Sequence, residues 1–229
     1  MTRGGVDIDV TGTETVLQVG DVIRYTNSIT IDGQSIDAAI TILEISTLSS
    51  NGEIRLSANT IPTITVDENV NLEPFVRYSV ELFEAGTNIA VTLDNPTTLT
   101  FTDIDSGDNR DISEVVGIQS SAADSVELGD NLTSGGFVVG TTAPTGFDYF
   151  RLDPTIAGDV TDFFAEENTP PDDVDAIIFA NFSAFSSAEF VLGSTGSYTG
   201  NAGVERGFRI LDFTVTLGND SDSLSLIHI

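Results

Sequence analysis

The sequence predicts an all-β protein, specifically an antiparallel β-sandwich or jelly-roll-like fold with one short helix at most. Short apolar runs alternate with polar residues at the two-residue period of a strand. Gly, Asn and Asp dipeptides typical of tight turns separate these runs, and almost no stretch has the 3.6-residue period of a helix. Many short strands without helices are typical of two antiparallel sheets packed face to face.

The first half of the chain contains the most regular strand pattern. In Val76–Phe83 one face carries Val76, Tyr78, Val80 and Leu82, and the other carries Arg77, Ser79 and Glu81. The pair Asp32-Gly33 predicts a hairpin turn, and the strand after it should point Ile40 and Ile42 into a core. In chain order the predicted strand segments are Val6–Val10, Val16–Tyr25 with a turn at Gly20-Asp21, Ile29–Ile31, Ile36–Ile45, Val76–Phe83 and Ile89–Leu93.

The second half continues with short strands around one irregular region. That region, Asp153–Asp175, is rich in proline and acids, and Asp159 is a suitable cap for a short helix over Asp159–Glu166. In Phe208–Leu217 the apolar face alternates cleanly with a polar one. The apolar segments of this half are Leu99–Phe101, Val115–Ile118, Val126–Leu128, Phe137–Val139, Ala176–Phe179, Glu189–Leu192 and Phe208–Leu217.

Charge is the extreme property of this chain. Its 229 residues carry 36 acidic and eight basic side chains, all eight of them Arg, for a net charge of −28. Such a surface repels phosphate backbones and anionic lipid, which argues against a nucleic-acid or membrane-surface role. No apolar run has the length of a membrane helix, so membrane insertion is not expected. Self-repulsion also predicts that divalent cations or high salt stabilise the fold.

The residues needed for most catalytic mechanisms are missing. There is no Cys, no Lys and a single His, which excludes thiol chemistry, a lysine or histidine base in the main body of the chain, and ordinary zinc sites. A carboxylate pair such as Glu81 with Glu114 would remain for glycoside hydrolysis, but the chain has no Trp to line a sugar cleft. We therefore predict a protein that is not an enzyme.

One loop carries a chemical signal. Between the predicted strands that end at Phe101 and begin at Val115, the chain places carboxylates at alternating positions around Gly107, and hard oxygen ligands around a glycine turn are what Ca²⁺ requires. Counted from Asp103, the acids match positions one, three, nine and twelve of an EF-hand, but the order at Gly107-Asp108 is reversed and the flanks predict strands. The prediction is a strand–loop–strand calcium site, and the alternative is a solvated acidic hairpin. The predicted ligand pool is Asp103, Asp105, Asp108, Asp111 and Glu114.

Two more oxygen donors lie near predicted strand ends. If Asn27 and Asp37 come together there, they would add side-chain oxygens to the shell around Asp103 and Asp105. The alternative for both is turn chemistry, in which Asn and Asp bond their own backbone.

Two stretches resemble a known kind of module. The sequences Gly20–Asn27 (GDVIRYTN) and Asp32–Ala38 (DGQSIDA) are similar to the opening of a β-sandwich module of secreted and surface proteins of marine bacteria. Val80–Thr87, the Asp103–Asp105 loop and the strand at Gly207-Phe208 continue the likeness. A weaker similarity is to calcium-dependent ligand-binding modules of repeats-in-toxin adhesins. The resemblance implies an extracellular or cell-surface location, and the weaker similarity implies adhesion through a calcium-bridged ligand.

The chain is expected to be one domain over residues 1–223, cut from a longer protein. Its last six residues, Leu224–Ile229, resemble the translation of a sequencing-library adapter, so His228 is not counted as functional. Neighbouring domains of the same chain are then expected partners.

The sequence thus predicts an extracellular, calcium-stabilised and non-catalytic β-sandwich of a bacterial surface or adhesin-like protein. A first alternative is a lectin-like domain that binds a glycan or peptide through calcium, with Tyr25, Tyr149 or Tyr198 as a stacking face. A second is a salt-adapted domain whose acidity serves only solvation.

Overall fold

A computed structural model of the chain describes an all-β protein. It covers residues 1–7, 15–31, 33–46, 54–57, 63–67, 74–101, 104, 112–137, 143–153, 177–196, 205–209, 212–215 and 224–228. Within these ranges there is no helix, and hence none long and apolar enough to cross a membrane. The strands are β1 (Thr2–Arg3), β2 (Val6–Asp7), β3 (Thr15–Val16), β4 (Val22–Ile31), β5 (Gln34–Ser46), β6 (Ile54–Ser57), β7 (Thr63–Asp67), β8 (Phe75–Glu84), β9 (Thr97–Phe101), β10 (Ile112–Gln119), β11 (Ser125–Leu128), β12 (Leu132–Ser134), β13 (Phe147–Leu152), β14 (Ile178–Phe182), β15 (Ser187–Gly196), β16 (Glu205–Arg209), β17 (Asp212–Val215) and β18 (Leu224–His228).

These strands form three antiparallel sheets. The largest has nine strands in the order β12-β13-β10-β15-β8-β5-β4-β1-β2. A second has five strands in the order β11-β14-β9-β17-β18, and a third has four in the order β16-β7-β6-β3. The two larger sheets share one hydrophobic core, which makes the fold a β-sandwich.

The core forms where the inner faces of the two larger sheets meet. Phe190 of β15 lies at its centre, with its ring centroid 5.7 Å from that of Tyr78 in the same sheet. Phe101 of the five-stranded sheet packs on Phe190 from the other side, at 5.3 Å. Tilted aromatic pairs at these distances add to the stabilisation that comes from buried apolar area.

Several sequence predictions are confirmed here. The hairpin turn that contains Gly33 joins β4 to β5, because Ile31 on one side of it pairs with Gln34 on the other. Gly33 has the positive φ of +78° that such a turn requires. Ile40 and Ile42 are buried in the core, and so is the whole apolar face of β8. The predicted all-β sandwich is therefore correct in class and in the faces it buries.

Other predictions need correction. Ile89–Leu93 is not a strand, since only Ala90 and Leu93 make isolated bridges there. The single strand predicted over Phe208–Leu217 is instead two, β16 and β17, in different sheets. Phe137 lies outside any strand. The helix predicted over Asp159–Glu166 and the turn-rich remainder of that region lie outside the described residues.

The acidic loop is not a hairpin. The strands before and after it, β9 and β10, belong to different sheets, so the loop crosses the sandwich from one layer to the other. A hairpin would require the two strands to pair with each other, whereas β9 pairs with β14 and β17, and β10 pairs with β13 and β15. The chain therefore passes from the five-stranded sheet to the nine-stranded sheet between β9 and β10.

Gly193 of β15 occupies a place with no room for a side chain. A Cβ atom there would lie 2.6 Å from the carbonyl oxygen of Pro74 and 2.9 Å from atoms of Phe75 and Phe137. Pro74 presents a backbone atom that is fixed, because it accepts a hydrogen bond from the Ser194 N–H. Glycine is therefore required for close packing at this point.

We expect Gly193→Ala to lower the free energy of unfolding by about 1–3 kcal/mol, the usual cost of overpacking. Urea denaturation measures it. Ser187→Ala on the same strand is the matched control, since Ser187 is exposed and its change should stay within about 0.5 kcal/mol. Equal denaturation midpoints for the two variants would contradict this account of the packing.

Candidate functional site

The predicted calcium loop is described only at its ends and at one residue inside it. Asp103, Asp105, Asp108 and Asp111 lie outside the described residues, so their membership of a calcium site stays a prediction. Ile104, between the first two, is 2% exposed and belongs to the hydrophobic core. The loop is thus anchored to the core at this residue.

Glu114, the fifth predicted ligand, lies on the inner face of β10. It is 3% exposed and pairs in register with Ser194, which is 2% exposed. Thr195, also 2% exposed, pairs with the neighbouring Ser113. Thr195 faces the opposite side of the sheet, whereas Glu114 and Ser194 face the mostly apolar interior and mark a polar end of the core beside the loop.

Asp37 and Asn27 lie together, but for a structural purpose. The Asp37 carboxylate is fully buried and accepts hydrogen bonds from the backbone N–H groups of Asn27 (2.8 Å) and Gly86 (2.9 Å). Nε of Arg24 donates to it at 3.0 Å. Asn27 has a positive φ of 53° at an irregularity between β4 and β5, and the bond to Asp37 holds the chain in that conformation.

Arg24 extends this network to the turn after β8. Its guanidinium donates to Oδ1 of Asn88 at 2.7 Å and to the carbonyl oxygen of Thr87, and it lies 5.1 Å above the ring of Phe83. We name Arg24, Asp37, Asn27, Gly86 and Asn88 the Asp37 cluster. It joins β4, β5 and the turn after β8 through one buried charge.

The register places the Asp37 cluster far from Glu114. Asp37 pairs with Phe83 at one end of β8, whereas Glu114 pairs with Ser194, next to the level of Phe75 at the other end. The separation along the strands is roughly 25 Å. Asp37 and Asn27 therefore do not join a ligand shell that includes Glu114, and protein donors already bind the Asp37 carboxylate. Asp103 and Asp105 lie outside the described residues, so a shell that Asn27 and Asp37 share with them stays a prediction.

The charge state of Asp37 follows from its contacts. Burial by itself would raise the pKa of its carboxyl group, but the N–H donors of Asn27 and Gly86 and the Arg24 guanidinium outweigh burial and hold the pKa below its usual range. Asp37 is thus ionised in the folded protein near neutral pH. Its stabilising effect is present above the unfolded-state pKa and is lost as the pH falls through the lower folded-state pKa.

A second buried aspartate follows the same principle. Both carboxylate oxygens of Asp21 accept from Arg3, at 2.7 and 2.6 Å, and the backbone N–H of Gln18 donates at 2.8 Å. The two-pronged bond from Arg3 lowers the pKa of Asp21 despite its burial. This pair joins β1 to the turn before β4.

No group of three or more acidic or histidine side chains is placed to hold a metal ion within the residues that the structure describes. The buried aspartates there are each paired with an arginine instead. The sequence contains one sign of these pairs. Asp37 stands in a run that is otherwise Ile and Ala, which is typical of a buried acid with a partner.

Of the three tyrosines predicted as a stacking face, the two that the structure describes are partly covered. Tyr25 packs against the core, with its hydroxyl group buried. Tyr149 donates a hydrogen bond to the carbonyl oxygen of Pro144 at 2.7 Å, and its ring covers Gly117. Tyr198 lies outside the described residues. Beside Tyr149, however, Phe147 is partly exposed and lies under the guanidinium of Arg77.

Comparison with known proteins gives structural relatives only. No family model and no curated protein matches the sequence. The adhesin domain of PrgB from Enterococcus faecalis, in a structure bound to DNA, has a TM-score of 0.57 and 14% identity, over 86% of this chain and 69% of that chain. A second structure of the PrgB domain gives 0.53 and 13%, over 91% and 66%. The N-terminal domain of the Streptococcus gordonii adhesin Sgo0707 gives 0.48 and 13%, over 91% and 49%.

The PrgB comparisons confirm the fold class. At 13–14% identity they establish a shared β-sandwich architecture and leave the ligand open. The expected kinship with marine surface modules and with repeats-in-toxin adhesins stays a prediction.

Asp37→Asn tests the role assigned to the Asp37 cluster. Loss of charged hydrogen bonds should lower the free energy of unfolding at pH 7 by about 2 kcal/mol. The difference from the unsubstituted protein should shrink as the pH falls below about 4, because Asp37 then becomes protonated in that protein. Chemical denaturation across the pH range measures both. Asp94→Asn, at an exposed position, is the control; a difference that is independent of pH would contradict the assignment.

Proposed function

We propose that this protein is a non-catalytic, adhesin-like module of a bacterial surface protein, located outside the cell and stabilised by calcium. The observation that carries the proposal is the shared fold with the PrgB adhesin domain over 86% of the chain. The residue composition agrees with it, because the sequence contains no Cys, no Lys and one His. A binding role needs none of these residues.

The calcium part of the proposal rests on charge and position. The loop that crosses between the sheets contains four aspartates, and the buried Glu114 follows it on β10. Carboxylates so close together repel one another, and a divalent cation removes that repulsion. Oxygen donors are the ligands Ca²⁺ prefers, so the donor set fits this ion. Bound calcium would fix the crossover between the two layers of the core.

Thermal unfolding tests the calcium proposal. With millimolar calcium about a hundredfold above the Kd, the melting temperature should rise by about 5–10 °C over its value in chelator. Asp103→Asn combined with Asp105→Asn should abolish the rise, because the ligand shell loses two charges. The double variant Asp94→Asn, Asp130→Asn removes two exposed acids elsewhere and should keep it.

Sodium chloride at matched ionic strength separates calcium binding from general screening. If sodium raised the melting temperature as much as calcium does, the protein would be a salt-adapted acidic domain, as the second sequence alternative holds. An identical melting curve in calcium and in chelator would contradict the calcium proposal itself.

Nucleic acid is not the proposed partner, although the PrgB domain is known in a structure bound to DNA. Affinity for a duplex depends on basic groups that neutralise phosphates. This chain has a net charge of −28, and three of its arginines, Arg3, Arg24 and Arg77, are already paired with carboxylates. The fold is shared, but the charge that would attract phosphate is absent.

A fluorescent DNA duplex titrated with the protein at physiological salt and in chelator should therefore show no change in anisotropy. The measurement repeated at low salt is the more demanding case, because weak electrostatic binding would be visible there. Saturable binding that weakens as salt is added would reverse this exclusion.

A further inference from the structure

The outer face of the nine-stranded sheet, opposite the core, carries a group of polar and aromatic side chains. Register aligns Tyr149, Gly117, Val191 and Arg77 in one row across four strands. The adjacent row contains Phe147, Gln119 and Glu189. We name the following six residues the outer-face patch: Glu44, Arg77, Gln119, Phe147, Tyr149 and Glu189.

Contacts between strands hold the polar groups of this patch in place. Nε and Nη2 of Arg77 donate to Oε2 of Glu189 at 2.9 and 2.7 Å, and Nη1 lies 3.6 Å from a Glu44 oxygen. The guanidinium also lies 5.7 Å from the centre of the Phe147 ring. Contacts with three different side chains, Glu189, Glu44 and Phe147, fix the orientation of Arg77 before any ligand arrives.

The same groups remain accessible to solvent. The side chains of Arg77, Glu189 and Glu44 are 33%, 30% and 46% exposed, and Phe147 is partly exposed. Beneath them Gly117 lets the Tyr149 ring lie against the sheet, since a Cβ atom there would come within 2.6 Å of that ring. The result is a shallow surface with an apolar aromatic part next to fixed hydrogen-bonding groups.

We propose that the outer-face patch binds an uncharged saccharide. A sugar ring presents C–H groups on its faces and hydroxyl groups around its edge, so it needs an aromatic surface beside planar donors and acceptors. Phe147 supplies the aromatic surface, Glu189 and Gln119 supply acceptors, and Arg77 supplies donors. The proposal gives a ligand class to the binding role in our proposed function and rests on that role.

Charge favours a neutral ligand over an acidic one. Arg77 faces two carboxylates, so the patch itself is not cationic, and the whole chain carries −28. Saccharides with uronate, sulfate or sialic acid groups would be repelled. The patch is also on the opposite face of the sheet from Glu114, so binding here requires no calcium contact with the sugar.

The test is binding to an immobilised panel of neutral oligosaccharides, in calcium and in chelator. The protein should bind at least one member in both conditions, and the free sugar should compete. Phe147→Ala and Glu189→Ala should each weaken binding by about tenfold or more, because each removes one half of the recognition surface. Phe147→Trp should retain binding, since it keeps an aromatic face.

Phe179→Ala is the matched control. Phe179 is also a partly exposed phenylalanine, and it lies on the outer face of the five-stranded sheet, where it pairs with Thr100. This variant should bind like the unsubstituted protein. Melting curves for every variant show whether a loss of binding reflects unfolding, and Phe147→Trp then decides the question if Phe147→Ala does not fold.

Three results would overturn the proposal. They are no binding to any neutral saccharide, an affinity of Phe147→Ala equal to that of the unsubstituted protein, or loss of binding in Phe179→Ala. Binding to a peptide or an acidic polysaccharide instead would refute the ligand class. Attachment of the protein to cells that needs calcium but is unaffected by Phe147→Ala would leave the adhesin proposal intact and remove only this site.

Discussion

The contact between the two larger sheets at Phe190 is the interaction on which the rest of the structure depends. Phe101 and Tyr78 pack on its ring from the two layers, and the buried faces of β8, β9 and β15 extend that contact in both directions. Because this core is apolar and fixed, each crossing between layers must occur at its ends. The passage from β9 to β10 is one such crossing.

Charge is the second constraint, and the environment of an acidic side chain depends on whether it is buried or at the surface. The described acids that are fully buried, Asp21 and Asp37, each have an arginine and backbone N–H groups as partners, so their charges stabilise the fold. Most of the other described acids are at the surface, where water screens them. The sequence between β9 and β10 contains four aspartates, and calcium is the partner that we propose for them.

The fold class could be predicted from the sequence because a strand buried on one face has a visible two-residue period, as in β8. The hairpin at Gly33 was predictable because its turn depends on local backbone geometry. Strand pairing was not, since β9 joins β14 and β17, which are far away along the chain. Because strand pairing could not be predicted, the partners of Asp37 could not be predicted either. The sequence shows that Asp37 is an acid near a turn, but only the pairing of strands brings Arg24 and Gly86 to it.

The most direct test of the central claim is a crystal structure of the protein grown in millimolar calcium, with anomalous scattering recorded to locate the ion. The account predicts an anomalous peak at the end of the sandwich beside Glu114, about 2.3–2.6 Å from carboxylate oxygens of the loop. A well-ordered loop whose carboxylates point away from one another, with no anomalous peak among them, would contradict it.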